Sequence, residues 1–279
     1  MSMIQLQAYE EILRFKEDVT PFLEKNEQEN NLMLGVLQDA TEAIFMCVAK
    51  QGEEIVVVFL QTVEQKQMIV ATSEIAEEDI VELAKKLTKV YPDIPGFIGN
   101  QKIVQKLAEE IAILENKRTN VVMEQGVYEL KQVKKKRNGE GVFREVSSDE
   151  LTLIEQWIHQ FCKDVKLPTT KEEAKQTAHT LIANNRLFGL EVDGKLVSVA
   201  AKTRPTKNNI TVNFVYTPKE ARKKGYASNC VAALSQRMLD EGYKTTTLYT
   251  DLANPTSNKI YQEIGYEQIM ESVLIFLEE

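Results

Sequence analysis

The stretch from Ile210 to Ala227, ITVNFVYTPKEARKKGYA, constrains this chain more than any other. It begins with a β-branched run typical of a strand, continues into a polar turn, and reaches Gly225 at the start of an apolar helix. The turn carries three cations: Arg222, Lys223 and Lys224. Unpaired amides and the helix dipole favour an anion at a helix N-terminus. The arrangement therefore predicts a site for a phosphorylated ligand.

Two other kinds of phosphate site are excluded by their glycine patterns. A Rossmann site requires G-x-G-x-x-G and a P-loop requires G-K-[ST] after a glycine-rich loop, whereas this stretch has only Gly225. Gly225 and Ala227 would keep the approach open, because a larger side chain at 225 would block a phosphate. The competing interpretation is an ordinary strand-to-helix turn with a basic surface, and the R-x-x-G-x-A pattern alone does not decide between the two.

A second motif follows the next predicted strand, in the residues DLANPTSNKIY from Asp251 to Tyr261. Pro255 suits the first turn of a helix, with Asn254 as its cap. Tyr261 then lies one to two turns into the helix, and Gly265 is predicted to end it.

The paired motifs V-Y-T-P-x-x-x-R-x-x-G-Y-A and T-D-x-x-N-P-x-S-N-x-I-Y-x-x-I-G-Y resemble the acyl-CoA core of the GNAT superfamily of N-acetyltransferases. The resemblance covers about Val142–Glu279, half of the chain. It implies an α/β (α+β) fold with a mixed, mostly antiparallel sheet flanked by helices. It also implies acetyl-CoA as cosubstrate, no metal, and an amine acceptor that attacks the thioester directly in a ternary complex.

The same resemblance implies roles for individual residues. The backbone of a splayed strand would bind pantetheine at Phe214, Val215 and Thr217, and an amide near Val215 would stabilise the developing oxyanion. The pyrophosphate turn would comprise Arg222, Lys223, Lys224, Gly225, Tyr226 and Ala227, with Ser228 beside it. Asn254 and Ser257 would line the pantetheine. Tyr261 would act as the general acid toward the departing thiolate, because a phenol is protonated at neutral pH. The alternative for Tyr261 is a packed helix aromatic.

The general base is where this sequence departs from the family. Many relatives carry a glutamate on the strand that corresponds to Ile210–Thr217, but Asn213 in that region cannot accept a proton. The base would then be water or a carboxylate elsewhere, such as Glu145 or Glu191. Two functions of other classes remain open: a non-catalytic acetyl-CoA-binding regulatory protein, which would not need Tyr261, and an interaction scaffold, which would bind no CoA.

Hydrophobic periodicity and turn residues predict the element order. In the first half we predict helices up to about Leu34 with an interruption at Pro21, three strands, a helix, a loop over Pro92–Gly99, a helix over Gln101–Leu114 and a strand. We place the domain boundary near Gly139, which gives domains 1–139 and 140–279. The second half is predicted as β-α-α-β-β-β-α-β-α-β-β, with a hairpin turn at Asp193-Gly194 and two closing strands, Glu267–Met270 and Ser272–Leu277.

The first half resembles the companion domain of some two-domain bacterial acetyltransferases, on the residues Glu29-Asn30-Asn31-Leu32 and Pro95-Gly96-Phe97-Ile98-Gly99. The hypothesis is an α/β domain that is a degenerate copy of the same fold. The string R-x-x-G-x-A does not occur before Gly141, so we expect no second coenzyme site there. This half would shape the acceptor pocket or mediate oligomerisation, for example as a homodimer.

Composition narrows the classes of partner. With 34 Lys and Arg against 42 Asp and Glu, the net charge of −8 disfavours general nucleic-acid binding. The run Lys134-Lys135-Lys136-Arg137 then indicates a solvated linker rather than a nucleic-acid patch. Three separated cysteines, which we expect to be buried thiols, and only two histidines give no zinc-ligand spacing. The apolar runs are too short to span a membrane, and we expect a cytoplasmic protein.

Overall fold

The computed structural model describes residues 4–135, 141–165 and 167–279. These residues form twelve strands: β1 Ile4–Ala8, β2 Phe45–Gln51, β3 Glu54–Gln61, β4 Met68–Thr72, β5 Gly96–Asn100, β6 Arg118–Leu130, β7 Val142–Glu145, β8 Leu187–Val192, β9 Lys195–Thr203, β10 Asn209–Tyr216, β11 Thr245–Asp251 and β12 Glu267–Glu278. They also form eight α-helices: α1 Ile12–Leu23, α2 Asn31–Asp39, α3 Glu77–Val90, α4 Gln101–Glu115, α5 Leu151–Asp164, α6 Lys171–Ala183, α7 Tyr226–Asp240 and α8 Pro255–Ile264. Among them, no helix is long and apolar enough to cross a bilayer.

The chain runs twice through one series of elements. Each half follows the order β-α-α-β-β-β-α-β-α-β, from β1 to β6 and then from β7 to β12. The described residues divide into two compact units. Unit 1 comprises Met1–Tyr128, Tyr249–Pro255 and Gln268–Glu279, and unit 2 comprises Glu129–Leu248 and Thr256–Glu267. The boundary predicted at Gly139 lies outside the described residues and stays a prediction.

The sheet of unit 1 has the strand order β1-β2-β3-β4-β5-β12-β6. The pairs from β1 to β4 and the pair of β5 with β12 are antiparallel, whereas β4 and β5 are parallel and are connected through α3. The last strand of the chain thus completes the sheet of the first unit, with Ser272–Phe276 of β12 paired to Gly96–Asn100 of β5.

Helices cover both faces of this sheet because each carries one apolar stripe. On one face, Ile80, Leu83 and Leu87 of α3 pack with Leu107 and Ile111 of α4 over the sheet. On the other face, α1 and α2 pack over β2 and β3, with a core that includes Phe15, Val19, Leu23, Met33, Leu37, Val48, Val58 and Leu60. The result is a three-layer α/β unit.

Unit 2 has the same kind of sheet, in the order β11-β10-β9-β8-β7. The pairs from β7 to β10 are antiparallel. Strand β10 pairs in parallel with β11, and the crossover helix α7 connects the two. Helices α5 and α6 bury Ile154, Trp157 and Leu181 against β8–β10. Positive φ angles at Asp193 and Gly194 confirm the hairpin turn predicted between β8 and β9. The predicted α/β fold with a mixed, mostly antiparallel sheet flanked by helices is confirmed.

Four sequence predictions of local structure are wrong. Residues Ile4–Ala8 form a strand rather than a helix, because their backbone pairs with β2. Helix α1 runs through Pro21 instead of breaking there. Part of the predicted loop Pro92–Gly99 is the strand β5, and the two closing strands are one continuous strand, β12. In each strand the pairing partner lies far away in sequence, beyond the reach of a local pattern.

Candidate functional site

The parallel pair β10 and β11 is fixed at one end and separates at the other. Pairing covers Asn209–Thr211 and Thr245–Thr247 and ends there. At the paired end, the Asn209 amide donates to the hydroxyl of Thr247, whose oxygen lies 3.0 Å from that of Thr211. These buried side chains satisfy one another, which pins the register of the two strands.

Beyond the paired end, β10 contains a bulge. Its register with β9 shifts between Asn213 and Tyr216, and Phe214 adopts a φ of +44°. The Asn213 side-chain oxygen accepts a hydrogen bond from the Phe214 amide at 2.7 Å. A bulge bends a strand and releases its backbone groups from the ladder, so the predicted splayed strand is where Phe214 and Val215 lie.

The side chains of the bulged segment anchor it to α5. Phe214 contacts Phe161 edge-on at a ring-centroid distance of 5.3 Å, and Tyr216 packs against Trp157 at 5.5 Å. The Thr217 hydroxyl lies 2.9 Å from that of Ser198 on β9. Aromatic side chains thus hold the backbone, and a ligand there would meet main-chain groups of β10.

Arg222 holds the turn after β10 rather than projecting freely into solvent. Its Nε donates to the Thr217 carbonyl at 2.9 Å, and one of its terminal nitrogens donates to Asp164 at 2.7 Å. The guanidinium also lies 5.9 Å from the ring centre of Tyr216. The hydrogen bond from Arg222 lowers the pKa of the Asp164 carboxyl. Arg222 is therefore a positioning residue for the predicted pyrophosphate turn.

Gly225 opens α7 in a conformation that favours glycine. Its φ is +80°, and a Cβ placed there would meet nothing within 4 Å. The left-handed backbone explains the glycine locally. The empty space around it leaves the first amides of α7 accessible, as an anion site requires. Tyr226 and Ala227, the first two helical residues, are half-buried.

The cations around this helix end come from two segments of the chain. Lys223 and Lys224 are exposed on the turn itself. Lys135 comes from the basic run and donates its ammonium to the buried Ser228 hydroxyl at 2.7 Å. Lys136 and Arg137 of that run lie outside the described residues. Lys135 therefore lies at the first turn of α7, a role that the sequence analysis missed.

Asn229, in the same turn of α7, is 1% exposed, and neither side-chain amide atom has a hydrogen-bond partner among the described residues. Buried polar groups are nearly always satisfied, so an orphaned amide marks a site where a ligand or water completes the structure. The sequence carries a weak signal for it, since an asparagine interrupts an otherwise apolar helix face.

Tyr261 lies on α8 and is buried. Its ring contacts that of Tyr266 at 6.1 Å, and its hydroxyl makes no hydrogen bond with any residue in the described part of the chain. Burial raises the pKa of the Tyr261 phenol, which keeps it protonated at neutral pH. Tyr266 is also buried, but its hydroxyl lies 2.8 Å from those of Ser235 and Thr246. The Tyr266 hydroxyl is therefore part of a hydrogen-bond network, whereas the Tyr261 hydroxyl has no partner among the described residues.

Helix α8 begins at Pro255 and ends at Ile264, just before Gly265, as the second motif predicts. The backbone amide of Asn254 donates to the Asp251 carbonyl at 3.0 Å, and its role as the helix cap stays a prediction. Asn254 is exposed and belongs to unit 1, whereas Ser257 is half-buried and belongs to unit 2. Their contacts with a coenzyme stay predictions.

Comparisons with known proteins agree with this geometry. The model of the FR47-like protein family matches residues 192–275. A GNAT-family acetyltransferase from Colwellia psychrerythraea is 14% identical with a TM-score of 0.63, covering 99% of this chain and 100% of that one. A GCN5-related N-acetyltransferase from Sphaerobacter thermophilus is 12% identical with a TM-score of 0.64, covering 99% and 95%. A tandem GNAT protein from the clavulanic acid biosynthesis pathway is 12% identical with a TM-score of 0.58, covering 99% and 98%. No curated protein sequence matches the chain.

The chain has the fold of the GNAT acetyltransferases. Similarity over the whole chain to a tandem GNAT protein also accounts for the repeated element order of the two halves. The family resemblance drawn from the two motifs is thereby confirmed for the fold.

The two alternative carboxylates lie on strands other than β10 and are engaged in ion pairs. Glu145 on the edge strand β7 pairs with Arg237 at 2.8 Å, and Glu191 on β8 pairs with Arg144 at 2.7 Å. Strands β8 and β9 separate β7 from β10. Asn213 is committed to the bulge. The identity of the general base stays a prediction.

Acetyl-CoA fits the part of the GNAT fold that the described residues provide. The buried Asn229 side-chain amide lacks a partner among the described residues, the space beside Gly225 is open, and the pairing of β10 with β11 ends at Thr211. No cluster of three or more His, Cys, Asp or Glu side chains that could hold a metal ion occurs within the described ranges.

Proposed function

We propose that this chain is an N-acetyltransferase that transfers an acetyl group from acetyl-CoA to an amine by direct attack in a ternary complex. The observation that carries the proposal is the continuous unit from β10 to α7. There, a pinned parallel pair opens at a bulge and leads into a helix that begins at an unobstructed Gly225. The GNAT fold of the chain supports acyl transfer in general.

In this proposal the coenzyme phosphates bind at the start of α7. The amides of Gly225, Tyr226 and Ala227 would donate to phosphate oxygens, with the helix dipole adding about half a positive charge. Lys223 and Lys224 would pair with further phosphates. Arg222 would contribute indirectly, since its bonds to Thr217 and Asp164 hold the turn in place.

The pantetheine arm and the thioester would bind along the open edge of β10. The arm would take the place that a neighbouring strand occupies in an ordinary sheet, and it would bond to main-chain groups from Phe214 to Thr217. The amide near Val215 would donate to the thioester oxygen as negative charge develops on it during attack. Asn254 and Ser257 are the proposed side-chain contacts to the arm.

Tyr261 is the proposed proton donor to the departing thiolate. Burial keeps its phenol protonated, which is the state that a donor requires. An ordinary phenol is already a weaker acid than a thiol of pKa about 8.5, and burial widens that difference. Proton transfer from Tyr261 to the thiolate would therefore be uphill, and the tyrosinate would regain its proton from water. The amine would lose its proton to water, with Glu145 and Glu191 as the alternative bases.

The alternative is a regulatory protein that binds acetyl-CoA without turning it over. The observation that favours it is the lack of a hydrogen-bond partner for the Tyr261 hydroxyl within the described ranges, because nothing there orients it for proton transfer. In this alternative, acetyl-CoA would still bind at the turn before α7, with the same proposed contacts.

The deciding experiment measures release of free CoA thiol with acetyl-CoA and a panel of primary amines, for the wild type and Tyr261→Phe. We expect turnover with at least one amine and a kcat about 100-fold lower in the variant, with unchanged affinity for acetyl-CoA. Equal turnover in both would refute the role of Tyr261. Acetyl-CoA binding without turnover on any amine would favour the regulatory alternative.

We also propose a cytoplasmic location. Cys47 and Cys230 are buried and Cys162 is half-buried, and the three are free thiols rather than disulfides. A small-molecule or peptide amine remains the proposed partner, with nucleic acid disfavoured by the net charge of −8.

A further inference from the structure

Unit 1 contains a cleft that the proposed chemistry does not use. It consists of a groove of about 430 Å³ and a narrow cavity of about 20 Å³, which has room for about one water. Glu29, Asn100 and Met270 line both, so the cavity is the inner end of the groove.

The cleft lies where the repeated fold places the open end of the parallel pair. In unit 1 this pair is β4 and β5, and its pairing ends at Ile69 and Ile98. The residues that follow, Val70–Thr72 and Gly99–Asn100, line the cavity. Gly99 is required there, because a Cβ would collide with the Val70 carbonyl oxygen. The position therefore corresponds to that of the opened β10 edge in unit 2.

The crossover helix of the parallel pair begins with opposite charge in the two units. Helix α3 of unit 1 has Glu77, Glu78 and Asp79 in its first turn, where the turn before α7 carries Arg222, Lys223 and Lys224. An acidic first turn repels phosphate. The cleft of unit 1 is therefore unsuited to the pyrophosphate of a coenzyme and needs an occupant of different chemistry.

Glu29 supplies the strongest clue to that occupant. Its carboxylate is half-buried, faces both parts of the cleft, and makes no hydrogen bond or ion pair with any residue in 4–135, 141–165 or 167–279. Burial raises the pKa of the Glu29 carboxyl above its usual value. A half-buried carboxylate that lacks a partner costs stability, and a bound cation offsets that cost.

The backbone holds Glu29 rigidly at this position. The side chain of Asn30 donates to the Leu23 carbonyl at 3.1 Å, and the side chain of Asn31 donates to the Gln28 carbonyl at 2.5 Å. These bonds, one buried and one part-buried, hold the backbone around Glu29, which lowers the ordering cost of binding.

The remaining lining favours an organic cation over a metal ion. Besides Glu29, the groove carries Glu271, whose carboxylate accepts from Gln268 at 3.2 Å, and one cation, Lys102. A single available carboxylate is too few for a metal, which takes several ligands. The apolar side chains of Met270 and Ile269 suit a short hydrocarbon body.

From this geometry we propose that the cleft of unit 1 binds a small organic ammonium ion, with the Glu29 carboxylate as its counterion. The ammonium occupies the inner end, and the body of the ligand extends along the groove past Met270. The inference concerns binding in unit 1 without coenzyme, so it stands independently of the proposed function.

The test is calorimetric titration of the full-length, coenzyme-free protein with ethylamine, 1,4-diaminobutane and glycine, with potassium chloride as the non-specific cation. We expect at least one amine to bind with a Kd of about 1 mM or tighter. Glu29→Gln, which keeps the shape, should weaken that binding about tenfold or more. Glu24→Gln, an exposed glutamate in the preceding turn, is the matched control and should bind as the wild type does.

A second pair of variants decides the matter even if Glu29→Gln fails to fold. Gln105 lines the groove from the surface of α4. Gln105→Lys should weaken amine binding about threefold and Gln105→Glu should strengthen it by a similar factor. Failure of the wild type to bind any of the three amines, binding unchanged in Glu29→Gln, or equal binding by the two Gln105 variants would overturn the proposal.

Discussion

Replacing Gly225 by alanine separates the structural requirement for this glycine from its proposed role in binding. Gly225 has a φ of +80° and a Cβ would meet nothing within 4 Å, so the substitution adds backbone strain but no clash. A non-glycine residue in this region costs about 1 kcal/mol. With a urea m-value of about 2.5 kcal/mol per molar, the unfolding midpoint should fall by about 0.4 M.

Gly194 provides a matched control in the same unit. Its φ is +70° and its Cβ would also meet nothing within 4 Å, but it lies in the hairpin between β8 and β9. Gly194→Ala should lower the urea midpoint by the same amount. Acetyl-CoA affinity, measured by calorimetry, should fall about tenfold or more in Gly225→Ala because the new methyl group faces the phosphates, and should stay unchanged in Gly194→Ala. Equal affinity in the two variants would refute the assignment of the phosphates to the start of α7.

Three further predictions concern single contacts. Lys135→Ala should weaken acetyl-CoA binding about fivefold by removing a charge beside α7, whereas Lys131→Ala, an exposed lysine nearby, should not. Because Arg222 lowers the pKa of Asp164, their ion pair stabilises the fold at neutral pH and is lost as the pH falls through that lowered pKa. Asp164→Asn should therefore cost less than about 1 kcal/mol at pH 7 and flatten the acid limb of urea stability measured from about pH 4 down to about pH 2. Tyr266→Phe should lower the free energy of unfolding by about 1–3 kcal/mol in urea, since it strands buried hydroxyls.

Sequence patterns predicted most of the elements of unit 2 because their signals are local. The apolar spacing in α7, the Asp193-Gly194 turn and the proline that begins α8 each act within a few residues. The core of the predicted site follows from the same stretch, since the bulge in β10 and the glycine at the start of α7 are neighbours in sequence. Local signals thus located the elements of this continuous segment, whereas its splayed strand was implied by the family resemblance.

The parts that sequence reasoning missed depend on partners far along the chain. Strand β5 is rich in glycine, and Gly96 is required because a Cβ there would collide with the Ile275 carbonyl oxygen of β12. Lys135 reaches a serine 93 residues away. Local propensity assigns the β5 residues to a loop and Lys135 to a linker. Neither residue propensity nor sequence spacing contains information about a tertiary contact.

The roles of Asn213 and Arg222 show the same limit within the site. The sequence shows that Asn213 cannot act as a base, because its side chain is an amide. Only the structure shows that this side chain accepts a hydrogen bond from the Phe214 amide within the bulge. The basic turn correctly predicts cations near α7, yet Arg222 bonds to the protein, and Lys135 takes a place beside Ser228. Which cation meets a ligand depends on side-chain geometry that a pattern of charges does not encode.

Calorimetric titration of the wild-type protein with acetyl-CoA, CoA and ATP tests the central claim most directly. The account predicts one site per chain for acetyl-CoA and for CoA, with a Kd of about 100 μM or tighter, and at least tenfold weaker binding of ATP, which lacks the pantetheine arm. Absence of binding by acetyl-CoA and CoA, or equal binding by ATP, would contradict it.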